Sequence, residues 1–251
     1  MIKLSSLFYM TYFGFAVQYR KTMIGPVWVL LGPTLFIATL GFLFSEVSNI
    51  PTDVFIPHLS FGLLAWTLIS GFVTGSTSVF QRSKAQIMQG GMTLLDIVAV
   101  DVMRTVLHFL HQLVIVVVVF LVFDLPWTLY SWVSLLGLVI LIANGTWLTM
   151  FFGIVGVRYR DLFEVVSAIM RIAFLATPII WMPGEFGRGG VMGAFMSYNP
   201  FYHFLEIVRA PLLGQVVSSL SWVVVAVFTV FGFAITSIFY RRLKQRVPLW
   251  V

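Results

Sequence analysis

His108 and His111 stand at i and i+3, near Asp101 and Arg104. That spacing sets both imidazoles on one side of a helix, and two histidines with a carboxylate can bind a metal ion or relay protons. A structural hydrogen bond between helices uses the same residues and is the preferred reading. Arg171 is the other candidate, a cation well inside the apolar run 163–182. Eight residues past Phe163, it lies about 12 Å along a helix, where a side chain facing lipid is costly. It should face a cavity or a partner. Its open roles are contact with a phosphate or acidic sugar in transit, snorkelling to the inner interface, and pairing with a carboxylate such as Asp101. Nothing argues for catalysis: the chain has no paired carboxylates, nucleophile elbow or HExxH. It also lacks cysteine and a GxxxxGK[ST] phosphate loop, so any ATP-driven engine sits on another chain.

The elements that carry these residues are apolar runs of bilayer length. A hydrocarbon core about 30 Å thick takes roughly 20 apolar residues of helix. Residues 27–44, 55–79, 102–123, 132–157, 163–182 and 220–240 form six such runs, each of 18 to 26 residues. Hydrophobic residues make up 60% of the 251-residue chain and charged residues 10%, which excludes a soluble surface. The expectation is an all-α integral membrane protein of one domain, residues 1–251, with six transmembrane helices.

Basic residues are retained on the cytoplasmic side. With the amino terminus inside, inner segments hold Lys3, Arg20, Lys21, Arg82, Lys84, Arg104, Arg158, Arg160, Arg241, Arg242, Lys244 and Arg246. Outer segments hold only Arg188 and Arg209. Both termini are therefore expected in the cytoplasm. The net charge of +6 is spread over four inner segments with no basic-aromatic module, which fits retention and contact with anionic lipid better than nucleic acid.

Three segments outside the runs stand out. Residues 1–21 place Ser5, Tyr9, Tyr12 and Tyr19 on one helical face and Leu4, Leu7, Phe8 and Phe15 opposite, the pattern of an interfacial helix; a seventh span is the alternative. Residues 80–91 carry Arg82, Lys84, Gln86 and Gln89 before Gly90-Gly91, and read as a short helix offered to a cytoplasmic partner, or else as a polar linker. Residues 183–204 combine Gly and Pro breaks with apolar pieces too short to cross. Such pieces fit re-entrant or interfacial helices packed against protein or a water-lined cavity, an outer gate carrying Met192, Phe195, Tyr198, Phe201 and Tyr202, or an ordinary outer loop. Aromatics reach 16%, and Trp28, Phe36, Trp147, Phe151 and Trp181 join Arg171 as candidates to line a conduit for sugar rings; packing against lipid is the commoner use of any single ring.

Asn199-Pro-Phe-Tyr-His-Phe-Leu-Glu-Ile-Val-Arg-Ala-Pro-Leu-Leu-Gly214 resembles the membrane subunit of ABC transporters that export O-antigen and capsular polysaccharide. Residues 20–31 with Gly-Pro-x-Trp, Val-Arg-Tyr-Arg-Asp-Leu at 157–162, Thr-Pro-Ile-Ile-Trp-Met-Pro at 177–183 and the terminal Arg-Val-Pro-Leu-Trp-Val at 246–251 match the same family in order. The resemblance implies a homodimer of permeases in the bacterial inner membrane, with a continuous channel at the dimer interface. Two copies of a separate ATPase subunit would hold ATP and Mg, this chain binding no cofactor. It also implies that 1–21 is the interfacial helix, 80–91 the coupling helix and 183–204 the outer gate helices. Gly90-Gly91-Met92-Thr93 departs from the bulkier residue and proline expected after a coupling helix. A type 2 ABC permease for a smaller substrate, such as a lipid, a drug or a teichoic-acid-like polymer, shares the frame, and a multispanning enzyme is the remaining alternative.

Overall fold

The computed structural model of the chain describes residues 3–47, 50–182 and 196–251, and every regular element among them is helical. Besides short 3-10 turns at Gly25–Val27, Gly75–Ser78 and Leu129–Trp132, these are in order Leu4–Tyr19 (α1), Trp28–Val47 (α2), Thr52–Thr74 (α3), Val79–Arg82 (α4), Lys84–Met88 (α5), Leu94–Val122 (α6), Val133–Arg158 (α7), Leu162–Ala176 (α8), Pro200–Leu212 (α9), Ser219–Leu243 (α10) and Val247–Trp250 (α11).

Five stretches among the described residues are long and apolar enough to cross a bilayer: Gly25–Phe44, Thr52–Arg82, Leu94–Val122, Leu129–Arg158 and Ser219–Leu243. The run 163–182 differs from expectation. Its helix, α8, stops at Ala176 after 15 residues, about 22 Å at 1.5 Å per residue. The cause is local: a residue before proline is driven out of the helical region, and Thr177, ahead of Pro178, sits at ψ 137° with its hydroxyl donating to the Ala173 carbonyl at 2.7 Å.

The third run also begins earlier than its apolar centre suggested. Thr93 Oγ1 accepts from the Asp96 amide at 3.2 Å and Asp96 Oδ2 accepts from the Thr93 amide at 3.0 Å, a reciprocal cap that starts α6 at Leu94. Residues 94–100 are therefore the first turns of α6.

α3 is the hub, packing against α2, α6, α7, α8 and α9. Its apolar window is 72% buried, against 11% for the window of the first span and 17% for those of α6 and α10. The outer spans thus keep wide apolar faces for lipid or another copy. Close approach to α7 depends on small residues, as in other membrane bundles. A Cβ on Gly156 would overlap the Thr77 carbonyl oxygen, and one on Gly137 would lie 2.5 Å from that of Ile207.

α1 packs along α6, burying Leu7, Thr11 and Phe15, while Leu4 and Phe8 of the expected apolar face stay exposed. The Phe15 ring lies 5.0 Å from His108 and 4.6 Å from His111. His111 Nδ1 bonds the Leu107 carbonyl of its own helix at 2.7 Å, so aromatic packing takes the place of the interhelical hydrogen bond expected there. Among the described residues no His, Asp or Glu cluster has metal-site geometry.

Candidate functional site

Between α3 and α6, α4 and α5 are two short helices closed by Gly90 at φ +66°. Gln81 Nε2 donates to the Gly156 carbonyl at 2.8 Å, fixing the start of the segment to α7. Arg82 is turned back into the protein: Nη2 donates to the Gly75 carbonyl at 2.9 Å and meets Asp101 Oδ1 at 3.2 Å. Arg104 approaches the same carboxylate at 4.0 Å. Asp101 is thus matched with these two cations and not with Arg171. Lys84 Nζ donates to the main-chain oxygen of Val251 at 2.6 Å. Ala85, Gln86, Met88 and Gln89 of the segment are exposed.

In the middle of the molecule a groove of about 470 Å³ runs between α3 and α8, lined by Trp66, Ser70, Thr74, Ser167, Arg171 and Phe174 among others. Ser167 and Arg171 are four residues apart on α8, as Ser70 and Thr74 are on α3, so each helix offers a polar stripe to the groove. Arg171 is exposed and makes no ion pair among the described residues, and the buried Ser167 Oγ lacks a protein partner. A ring series continues upward from it. Phe174 lies 6.1 Å from Phe36 and 5.7 Å from Trp66, and Trp66 lies 5.5 Å from Phe201. Trp66 went unmarked in the sequence because it sits inside an apolar run. Its signal was four-residue spacing to the serine and threonine at 70 and 74.

α9 runs between two cavities. Its first turn, with Phe201 and Phe204, shares an apolar cavity of about 330 Å³ with Phe72 of α3, Trp147 and Phe151 of α7 and Phe231 at the middle of α10. Just past its last turn, Leu213 and Gln215 share a cleft of about 620 Å³ with Asp53 at the start of α3. Asn199 caps α9, its Oδ1 accepting from the Phe201 amide at 3.0 Å and its Nδ2 donating to Thr177 Oγ1 at 3.0 Å. Farther along, buried Arg209 donates through Nη1 to the Pro178 carbonyl at 2.5 Å and to His58 Nε2 at 3.2 Å. His58 Nε2 also lies 3.3 Å from the Trp181 carbonyl. α9 is also tied to α10: His203 bonds Ser221 at 2.8 Å and the Ser197 carbonyl at 3.0 Å, and the Ser221 hydroxyl donates to Glu206. Arg209 is therefore a buried cation, whereas Arg171, the one singled out in the sequence, is exposed.

The expected conduit residues do not form one surface within a single chain. Phe36 lies against Phe174, which shares the groove with Arg171 and Trp66, while Trp147 and Phe151 sit in the apolar cavity across α3. Trp181 stands beyond α8, its Nε1 donating to the Leu175 carbonyl at 3.1 Å, and Trp28 is exposed at the first turn of α2. Of the expected gate residues, Met192 and Phe195 lie outside the described residues. Tyr198 is exposed, and Phe201 and Tyr202 are half-buried.

A bundle of apolar helices of bilayer length with a polar groove between α3 and α8 is the architecture these features define, and the chain belongs to the ABC-2 type transporter family, whose match runs over residues 5–213. It is the membrane subunit class of type 2 ABC transporters. Among curated relatives it is similar to two O-antigen export system permease proteins RfbA of Klebsiella pneumoniae. They are 25% and 24% identical over 243 residues, covering 92% of this chain and 88% of each relative. The O-antigen export system permease protein RfbA of Myxococcus xanthus is 24% identical over 198 residues, covering 77% of this chain and 74% of that protein.

Proposed function

We propose that this chain is the permease subunit of an ATP-driven exporter that moves a lipid-linked polysaccharide, of O-antigen or capsule type, across the bacterial inner membrane. The names of its relatives support that substrate class. The single observation that carries it is the ring series Phe36, Phe174, Trp66, Phe201 rising beside Arg171. Aromatic faces stack on sugar rings through dispersion without fixing their identity, and a guanidinium at depth suits the phosphate of a lipid carrier or an acidic sugar.

In this reading two copies pair through the apolar and polar faces that α2 and α8 leave uncovered, and the grooves of both line one path. The chain crosses the membrane six times, α8 serving with its flanking residues as the fifth crossing, and both termini are cytoplasmic. α1 lies at the inner interface. Two copies of an ABC ATPase bind ATP and Mg, carry out hydrolysis and push on residues 80–91, while residues 183–204 gate the outer mouth. A polar polymer on a lipid carrier is too long for a single alternating site, so a continuous path gated at both ends is required.

The test is complementation in a strain that depends on such a permease. Trp66→Phe retains a ring and should keep surface polysaccharide, whereas Arg171→Gln should lower it several-fold with the protein still assembled. Wild-type surface polymer in Arg171→Gln would sink the groove as the route.

A further inference from the structure

The carboxy-terminal segment 247–251 lies folded against the inner end of the bundle. Val247 is fully buried and Leu249 is 82% exposed, so the segment is seated by one face only. α11 packs on α7. The Arg158 guanidinium at the end of α7 stands over the Trp250 ring at 5.6 Å from its centroid, a cation–π contact. Val251 then accepts from Lys84 Nζ at 2.6 Å, across 167 residues of sequence. Gln81, three residues before Lys84, holds the Gly156 carbonyl, two residues before Arg158. The start of the coupling segment is therefore fastened twice to the same place, directly to α7 and through the terminal segment. Its other end, at Gly90 with φ +66°, turns away to α6.

We infer that residues 247–251 are a strap that makes α5, the inner end of α7 and the end of α10 move as one body, and that Lys84 is a positioning residue held by the strap and not a docking contact for the ATPase. This rests on the proposal that residues 80–91 receive the ATPase stroke. A short helix ending at glycine transmits a push poorly if its start can slide. Clamped at Gln81 and Lys84, it delivers the displacement to two spans at once.

The test uses the full chain assembled with its ATPase in proteoliposomes, reading subunit association, ATP hydrolysis and export per ATP. Lys84→Met and Trp250→Ala should each keep association and hydrolysis within twofold of wild type, while export per ATP falls at least fivefold. Lys84→Arg should retain export. Both substitutions release the same strap, so the double variant should be no worse than the poorer single one. Export per ATP within twofold of wild type in both single variants overturns the strap, as do multiplied losses in the double variant. So does loss of association in Lys84→Met alone. Gln86→Ala with Gln89→Ala separates the two ideas. If that variant weakens association while the strap variants behave as wild type, only the strap fails; if it too is silent, the coupling assignment fails.

Discussion

The guanidinium of Arg209 meets Nε2 of His58 at 3.2 Å, joining residues 151 apart in sequence. Through that contact and the Pro178 carbonyl, one buried side chain fastens α9 to α3 and to the end of α8. The motifs at 177–183 and 199–214 thus meet each other: Asn199 holds Thr177, and Arg209 holds Pro178. Together they hold the first turn of α9 in place, with Phe201 against Trp66.

Arg209→Met should accordingly destabilise the protein by about 3 kcal/mol, since two charge-assisted hydrogen bonds are lost and a buried carbonyl is left without its donor. Thermal unfolding in detergent should show a clear drop in midpoint. An unchanged midpoint would mean that the Pro178 carbonyl and His58 are satisfied by water.

Arg82→Glu tests a different kind of contact. The Asp101 carboxylate is mostly buried while the Arg82 side chain is 48% exposed, so reversal should cost only about 1 to 2 kcal/mol, most of it from the carboxylate left facing a like charge. Combining Arg82→Asp with Asp101→Arg should recover part of that loss. If Arg82→Glu keeps full stability but loses the ATPase subunit, Arg82 is a docking residue.

The all-helical membrane frame was legible because hydropathy reports on the bilayer: five stretches have the length and composition to cross, and four of the six runs are helices within a few residues of their expected bounds. The runs at 102–123 and 163–182 were less so. A Thr-Asp cap started α6 eight residues earlier, and the restriction before Pro178 ended α8 early. The site was read less well for another reason. Spacing along one helix found Arg171, but the partners of Arg82, Lys84 and Arg209 come from 19, 167 and 151 residues away, where no periodicity reaches.

Accessibility of single cysteines in this cysteine-free chain tests the outer mouth. A cysteine at Tyr198, which is 87% exposed, should react quickly with an impermeant thiol reagent under all conditions. One at Phe201, packed against Trp66, should react slowly at rest and several times faster during export. Equal fast labelling at both positions would remove Phe201 from any gate.

The central claim is tested most directly by transport itself. Proteoliposomes holding the chain with an ABC ATPase and a lipid-linked polysaccharide on the ATP side should show the polymer becoming accessible on the far side to an impermeant glycosidase. That accessibility should depend on ATP and fall several-fold with Arg171→Gln. ATP hydrolysis at normal rates with no polymer crossing, or with only a short lipid crossing, would contradict it.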